Sequence, residues 1–551
     1  MGRIPASCIY IIVYLLSCTG LKLSKIFYIQ ILIFGTLSCL LGAANSGSAE
    51  QKGCVSRYYG DDSIVCVCNA TYCDTLEAPQ KGPIGAYALY SSSKDGLRFR
   101  HSTGNFSSTP SKESKAGTIV FTVDRTIRYQ KVIGFGGAMT DAAGINIASL
   151  SEGAQDLLLR SYFSEEGLEF NVVRIPMGGS DFSTRPYSYD DESMDVNLTH
   201  FKLAKEDTKY KIPFLERLIK MSPKEILLFG SVWSAPKWMK TNGDFIGKGR
   251  LKDEYYQLWA DYFIKFLNEY ESRGFKFWGI TTQNEPTDGN LPNFSFNCMG
   301  WTADQTRKWV AENLGPTLHA NGYEDLQLLV MDDSRFSLPS WPNTLFADDL
   351  VKKYATGIAV HWYVDFVLGP RVLNETHYLH PDKFLMYTEA CNGDLPGEHN
   401  VLLGSWLRGE KYAHSVIETM NNWVTGWVDW NFALDLTGGP NWAKNNVDAA
   451  VIVNASADEF YKQPMFYALG HFAKFVPNGS QRVDLRGEEK VENAKATGDV
   501  EGIAFVTEEN STVVVLLNRG AEDATAVISD PERGELTENL PANSINTFVY
   551  Y

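Results

Sequence analysis

Phe277-Trp-Gly-Ile-Thr-Thr282, then Gln283-Asn-Glu-Pro286, then Ala303–Leu318, then Leu326-Gln-Leu-Leu-Val-Met331: the fold turns on this passage. A short apolar run is broken by polar residues and a proline. An amphipathic stretch follows, opened by Thr302 and Gln305, the spacing of a capping box. A second short apolar run closes it. That is strand, loop, helix, strand, the unit of a parallel sheet. The same rhythm extends both ways. Upstream runs are Lys131–Phe135, Phe170–Pro176 and Glu225–Phe229; downstream runs are Gly357–Val360, Phe384–Thr388 and Trp427–Trp430. Amphipathic stretches lie between them at Ala154–Phe163, Ile212–Met221, Tyr255–Tyr270 and Val401–Val424. Eight alternating units predict an α/β fold, a closed (β/α)8 TIM barrel.

Beyond Gly502 the pattern changes. Ile503–Val506, Thr512–Leu517, Ala524–Ile528 and Ile545–Tyr550 are β-rich runs with turn residues between them and no helical period. They predict a small antiparallel β module. Thr118–Val123, just before the barrel, reads the same way and is a candidate to pair with it.

The formal net charge is −16, and −19 once Arg3, Lys22 and Lys25 of the first 49 residues are set aside. An acidic body without a basic stripe excludes nucleic acid as a partner, and its repulsion from anionic surfaces fades where carboxylates titrate. Lys22 and Lys25 precede the apolar run Ile26–Ala43, which leads into small residues ending Gly47-Ser48-Ala49. This reads as a signal peptide over 1–49; a signal anchor is the rival reading. Of nine cysteines, Cys54, Cys66, Cys68 and Cys73 cluster, and in an exported chain an even cluster predicts disulfides with three pairings open. Cys298 and Cys391 read as free thiols. Glycosylation sequons begin at Asn69, Asn105, Asn197, Asn293, Asn374, Asn454, Asn478 and Asn510.

Barrel enzymes carry their chemistry at the C-terminal ends of the strands. In chain order those ends offer Gly136 to Asp141, Asp181 with Arg174 inside the strand, Trp233, Asn284-Glu285-Pro286, Asp332-Asp333, His361-Trp362-Tyr363, Glu389-Ala390-Cys391 and Trp430-Asn431. Carboxylates, amides and aromatic rings are what a sugar pocket requires. Cleaving a glycosidic bond takes two carboxyl groups, one to protonate the leaving oxygen and one to attack or to activate water. Glu285 and Glu389, on strands four and seven, are that pair, Glu285 as acid and Glu389 as nucleophile. Asn284 is placed for a sugar 2-hydroxyl. Arg174 reads equally as a core ion-pair partner or a substrate contact, and the tryptophans, taken singly, as packing. His361 reads as a supporting donor rather than a metal ligand, and His377 and His380 as surface residues of a loop. No serine-hydrolase elbow, zinc motif, phosphate loop or dinucleotide fingerprint is present, so neither metal nor cofactor is expected.

Gly134-Phe-Gly-Gly-Ala-Met-Thr-Asp141, Asn284-Glu-Pro286, Ile358-Ala-Val-His-Trp-Tyr363, Gly438-Gly-Pro-Asn-Trp442, Tyr461-Lys-Gln-Pro-Met-Phe466 and Cys66-Val-Cys-Asn-Ala-Thr-Tyr-Cys73 together give the chain a family likeness. It resembles the acid β-glucosidases, the lysosomal glucosylceramidases of glycoside hydrolase family 30. The resemblance implies Cys54–Cys66 and Cys68–Cys73 pairing. It implies a disulfide-containing sheet from 50–77 and 432–463, an immunoglobulin-like β-sandwich from 78–126 and 480–551, and the barrel from 127–431 and 464–479. It implies glucose contacts from Asp181, Trp233, Asn284, Trp430 and Asn445, with Phe182, Phe296 and Tyr363 near the entrance. It further implies hydrolysis of glucosylceramide, help from a saposin C-like activator and an anionic lipid surface, and a lysosomal or secreted location; a homodimer is compatible with it. Phe294, Gly178-Gly179-Ser180 and the loop Asn290–Phe294 depart from the family pattern. The rivals are a related xylosidase or β-1,6-glucanase with the same carboxyl pair, and a non-catalytic glycolipid carrier on the same barrel.

Overall fold

The computed structural model describes residues 51–77, 79, 81–107, 118–395, 397–489 and 499–551; the expected leader lies outside them. Eight parallel strands close a barrel in chain order: Gly134–Ala138, Val172–Met177, Leu227–Val232, Gly279–Thr281, Gln327–Ser334, Gly357–His361, Phe384–Glu389 and Val424–Asn431. The last pairs with the first, Gly426 beside Gly134 and Asn431 beside Ala138. Val172, Phe229, Leu329, Ala359, Met386 and Val428 pack together inside, so the lower barrel is a solid core. Because side chains on a strand repeat every second residue, the next inward positions are Arg174, Ser231, His361, Thr388 and Trp430. The interior thus turns from apolar to polar toward the C-terminal mouth.

The first strand differs from its expected limits. Lys131 ends a different strand, Thr118–Lys131, and the barrel strand runs through the glycines to Ala138. A glycine run reads as loop, but here the neighbouring strand comes too close for a side chain: a methyl at Gly136 would lie 1.7 Å from the Val172 carbonyl oxygen. The stretch Ala303–Leu318 forms Ala303–Trp309, a π-turn over Val310–Leu314, and Gly315–Ala320. Its capping box is made, with the Gln305 N–H donating to Thr302 Oγ1 at 3.2 Å and the Thr302 N–H to Gln305 Oε1 at 3.1 Å; losing such a cap costs about 1 kcal/mol. Val401–Val424 contracts to a helix over Trp406–Asn421, since Val424 opens the last strand. His377 and the cap residue His380 belong to a helix, Arg371–Leu379, not a loop, and His377 stacks on Trp423 with ring centroids 3.8 Å apart.

A nine-stranded sheet lies beside the barrel in the order Gly534–Leu540, Ala524–Asp530, Thr118–Lys131, Gln481–Glu489, Val500–Val506, Thr512–Asn518, Ser544–Tyr550, Ala86–Ser93 and Arg100–Asn105. Its alternation serves two cores. Ala504, Val506, Val514, Leu516, Phe548 and Tyr550 face the interior of the module, whereas Ile503, Phe505, Val513, Val515, Ile545 and Val549 join the core around the barrel. A third sheet carries Ser56–Tyr58, Ile64–Asn69, Glu459–Lys462, Val451–Asn454 and Leu434–Asp435. Disulfides join Cys54 to Cys66 and Cys68 to Cys73 within it. Among the sequons, Asn69, Asn105, Asn197, Asn293, Asn478 and Asn510 are exposed; Asn374 and Asn454 are half-buried, their amides donating to Asn422 and Tyr461.

Candidate active site

The polar upper barrel is organised around Arg174, whose side chain is fully buried. Its guanidinium donates to Ser231 Oγ at 3.2 Å, Asn284 Oδ1 at 2.7 Å, Asp332 Oδ2 at 2.9 Å and, in close contact, Glu389 Oε2. Asp332 is saturated besides: Thr281 and Thr388 hydroxyls donate at 2.7 Å each. A buried charge survives only when paired and hydrogen-bonded in this way. Both readings of Arg174 left open by the sequence meet here, since the core ion pair it makes is with a pocket carboxylate.

Glu285 sits in the left-handed region at φ +43°, as do Met331 at +76° and Asp332 at +60°. Non-glycine residues avoid that region, and strain of this kind collects where surroundings fix a functional geometry. The Glu285 N–H donates to the Asp332 carbonyl at 2.9 Å, which ties strand four to strand five at this point. The result aims Glu285 across the mouth at Glu389. One carboxylate oxygen from each, and a ring nitrogen of His361, lie within 4.8 Å of one another. His361 bridges two acids, Nδ1 3.2 Å from Glu285 Oε1 and Nε2 3.0 Å from Asp332 Oδ1. On the other side Tyr363 donates its O–H to Glu389 Oε1 at 2.6 Å.

Burial alone would raise the Asp332 carboxyl; Arg174 and His361 overcome it and hold the group well below the ordinary range. Burial likewise favours a neutral His361, but Glu389 and Asp332 draw its pKa up to about 10. At Glu389 burial prevails and leaves the carboxyl above its usual range, against the pull of Arg174 and His361. At Glu285 burial is outweighed by the contact with His361, and the carboxyl sits low. The two carboxyls titrate as a pair. Their countercharges are unequal, because Arg174 cannot release its proton and His361 can. Glu389 therefore faces a permanent cation, and Glu285 faces a transferable proton 3.2 Å away.

The other expected residues gather round this pair. A cavity of about 260 Å³ is lined by Asp181, Phe182, Trp233, Phe296, Tyr363, Trp430 and Asn445 together with both glutamates. Trp233 and Trp430 stack at 5.2 Å, with Arg174 within 5.3 Å of both ring centroids. Asp181 Oδ2 accepts from Asn441 and Asn445, each at 3.1 Å, and burial pushes its carboxyl up to about 7. Its loop is tied down by Ser183, which donates to Asp141 at 2.7 Å, and buried Lys211 pairs with Asp141 at 3.0 Å and Asp207 at 3.1 Å. Phe182 is not at the entrance: it is buried edge-on against Trp430. Asn284 is buried beside Glu285, its amide 3.4 Å from Glu285 Oε2. Asp288, Phe294, Cys391, Asp394 and Val447 also line the cavity. Sequence reasoning missed Asp288, although its place three residues after Glu285 in one turn was the available signal.

The Glycosyl hydrolase family 30 TIM-barrel domain matches residues 132–476, and the Glycosyl hydrolase family 30 beta sandwich domain matches 479–548. The chain is 46% identical to lysosomal acid glucosylceramidase of Mus musculus over 92% of its own length and 97% of the relative's. It is 42% identical to putative glucosylceramidase 4 of Caenorhabditis elegans, covering 92% and 96%. Among solved structures, SrfJ from Salmonella typhimurium superposes with a TM-score of 0.75 at 26% identity, over 84% of this chain and 99% of that one. With the barrel and the sandwich both matched in place, and a mammalian relative aligned almost end to end, the chain belongs to glycosyl hydrolase family 30.

Proposed function

We propose that the protein hydrolyses glucosylceramide to glucose and ceramide by double displacement, with Glu389 as nucleophile and Glu285 as acid/base. The observation that carries the mechanism is the carboxylate pair, with oxygens within 4.8 Å. Retaining enzymes hold their carboxyls about 5–5.5 Å apart, whereas inverting enzymes leave room for a water, at about 6.5–9.5 Å. Glu389, ionised against Arg174, attacks the anomeric carbon while Glu285, protonated at the expense of His361 3.2 Å away, gives its proton to the leaving oxygen. A water, deprotonated by Glu285, then releases glucose from the ester on Glu389. Trp233, Trp430, Asp181, Asn445 and Asn284 are the sugar-binding set in this reading; stacked rings and convergent amides suit a glucose face and its hydroxyls.

The substrate is supported by the glucosylceramidase relatives at 46% and 42% identity. An apolar rim supports a lipid aglycone: exposed Phe366 and Leu395 line a second cavity that shares Tyr363 and Asp394 with the first. A saposin-like activator, an anionic lipid surface, a lysosomal or secreted location and a homodimer belong to the same proposal. Labelling with a cyclitol epoxide, followed by peptide mapping, tests the core of it. The label is expected on Glu389; a label elsewhere, or turnover of β-1,6-glucan or xyloside but not of glucosylceramide, rejects the reading.

A further inference from the structure

Glu285 has a neighbour that the two-carboxylate scheme does not use. Asp288 closes the turn that begins at Glu285, its N–H donating to the Glu285 carbonyl at 3.1 Å. Its carboxyl lies within hydrogen-bond reach of the Glu285 carboxyl, and both line the catalytic cavity. Among the described residues no N–H or O–H donates to the Asp288 carboxylate oxygens, and no cation pairs with them. Glu285, by contrast, has the His361 ring at 3.2 Å and the Asn284 amide at 3.4 Å. Two half-buried carboxyls set against each other resist ionising together, and the one without donors keeps the proton.

Resting on the acid/base reading of Glu285, we infer that Asp288 is a positioning residue, a carboxylic acid that stays protonated through the cycle and donates its O–H to Glu285. The groups that face it agree with this. Glu285 lies on its own turn, Asp333 comes from strand five, His361 from strand six and Cys298 from the loop behind. Burial and the Glu285 charge place its carboxyl at about 10, with Asp333 adding to the rise and His361 opposing it.

The consequence follows from when the charge appears. When Glu285 takes over the His361 proton and becomes neutral, the Asp288 hydrogen bond to it is weak. As Glu285 gives its proton to the leaving oxygen, negative charge builds on the carboxylate and the bond becomes charge-assisted, roughly twice as strong. Asp288 thereby stabilises the transition state more than the ground state. It makes Glu285 a stronger acid and holds its side chain in place for the return proton from water.

The test compares Asp288→Ala with Asp288→Asn, which keeps a donor. The readout is the pH profile of kcat/KM on glucosides with poor and activated leaving groups. Asp288→Ala is expected to move the basic limb, set by Glu285, up by about one pH unit. It should slow the poor leaving group at least tenfold more than the activated one, and Asn should restore both. An unmoved limb in Asp288→Ala, or a downward shift in both variants, overturns the inference, since the latter means that Asp288 is ionised. Infrared difference spectra of wild type against Asp288→Asn at pH 8 give a reading independent of turnover. A protonated-carboxyl band lost in the variant supports the inference, and its absence from wild type overturns it. Should Glu285 not be the acid/base, the band would survive while the leaving-group dependence vanished, which separates the two failures.

Discussion

Tyr363 donates its hydroxyl to Glu389 Oε1 across 2.6 Å while Arg174 holds the other oxygen of the same carboxylate. The two donors are not equivalent. Arg174 carries the charge that lets Glu389 ionise inside the barrel. Tyr363 reaches it from the loop after strand six and is only half-buried, so a bound substrate can displace it. A nucleophile must shed a donor at the moment it attacks, and the phenol is the one free to move.

Tyr363→Phe follows from this. Burial already holds the Glu389 carboxyl above its usual range, and the Tyr363 hydrogen bond works to lower it. Removing that bond raises the folded carboxyl further. Activity needs the ionised form, so it is lost as pH falls through this value. The acid limb of kcat/KM is expected to move up by about half to one pH unit. An acid limb at the wild-type position would show that Glu389 does not set it.

Arg174→Lys tests the fork itself. A lysine retains the charge but gathers its three donors on a single nitrogen, where Arg174 spreads its fork to Ser231, Asn284, Asp332 and Glu389 at once. With the carboxylates left unequally paired in a dry core, stability is expected to fall by about 3–5 kcal/mol. Turnover is expected to fall on the order of a thousandfold, the scale of losing one preorganised electrostatic partner. Urea titration and single-substrate kinetics read the two effects separately.

Glu285→Gln and Glu389→Gln should fail differently. Without the nucleophile no glycosyl-enzyme forms, and every β-glucoside should be inert. Without the acid, a dinitrophenyl glucoside needs no proton and should still glycosylate Glu389, giving a burst followed by slow release. Added azide should then accelerate turnover of Glu285→Gln and yield the β-glucosyl azide. An α-configured product would contradict retention.

The barrel was legible because its strands are short apolar runs separated by amphipathic helices, and the catalytic ring because strand ends can be counted. What escaped has physical causes. The Gly136 run was read as loop because a glycine strand carries no apolar signal, although the close approach of Val172 demands it. Phe182 was assigned to the entrance because sequence gives no depth; edge-on packing against Trp430 buries it. Arg174 stayed ambiguous because a pairing among strands two, four, five and seven exists only after closure. Asp288 was passed over for a subtler reason. A carboxylate next to a carboxylate looks like a solvated turn until burial removes the solvent.

The seam between barrel and β module carries a pH dependence of its own. His471, on the helix Pro464–Ala473, is fully buried between Thr547 Oγ1 at 2.8 Å and Ser92 Oγ at 2.9 Å. Burial drives its pKa down to about 3. An unfolded histidine titrates near 6.5, so between these values the unfolded chain binds a proton that the folded chain refuses. Stability is therefore intact above about pH 6.5 and declines as pH falls, by about 1.4 kcal/mol per unit, reaching about 2 kcal/mol at pH 5. His471→Asn keeps a donor and an acceptor but cannot titrate. Its melting temperature is expected to start lower at pH 7.5, from lost packing, and to fall less steeply toward pH 5 than that of wild type. Parallel slopes for the two proteins would mean that the seam opens enough on acidification for His471 to take its proton in the folded state.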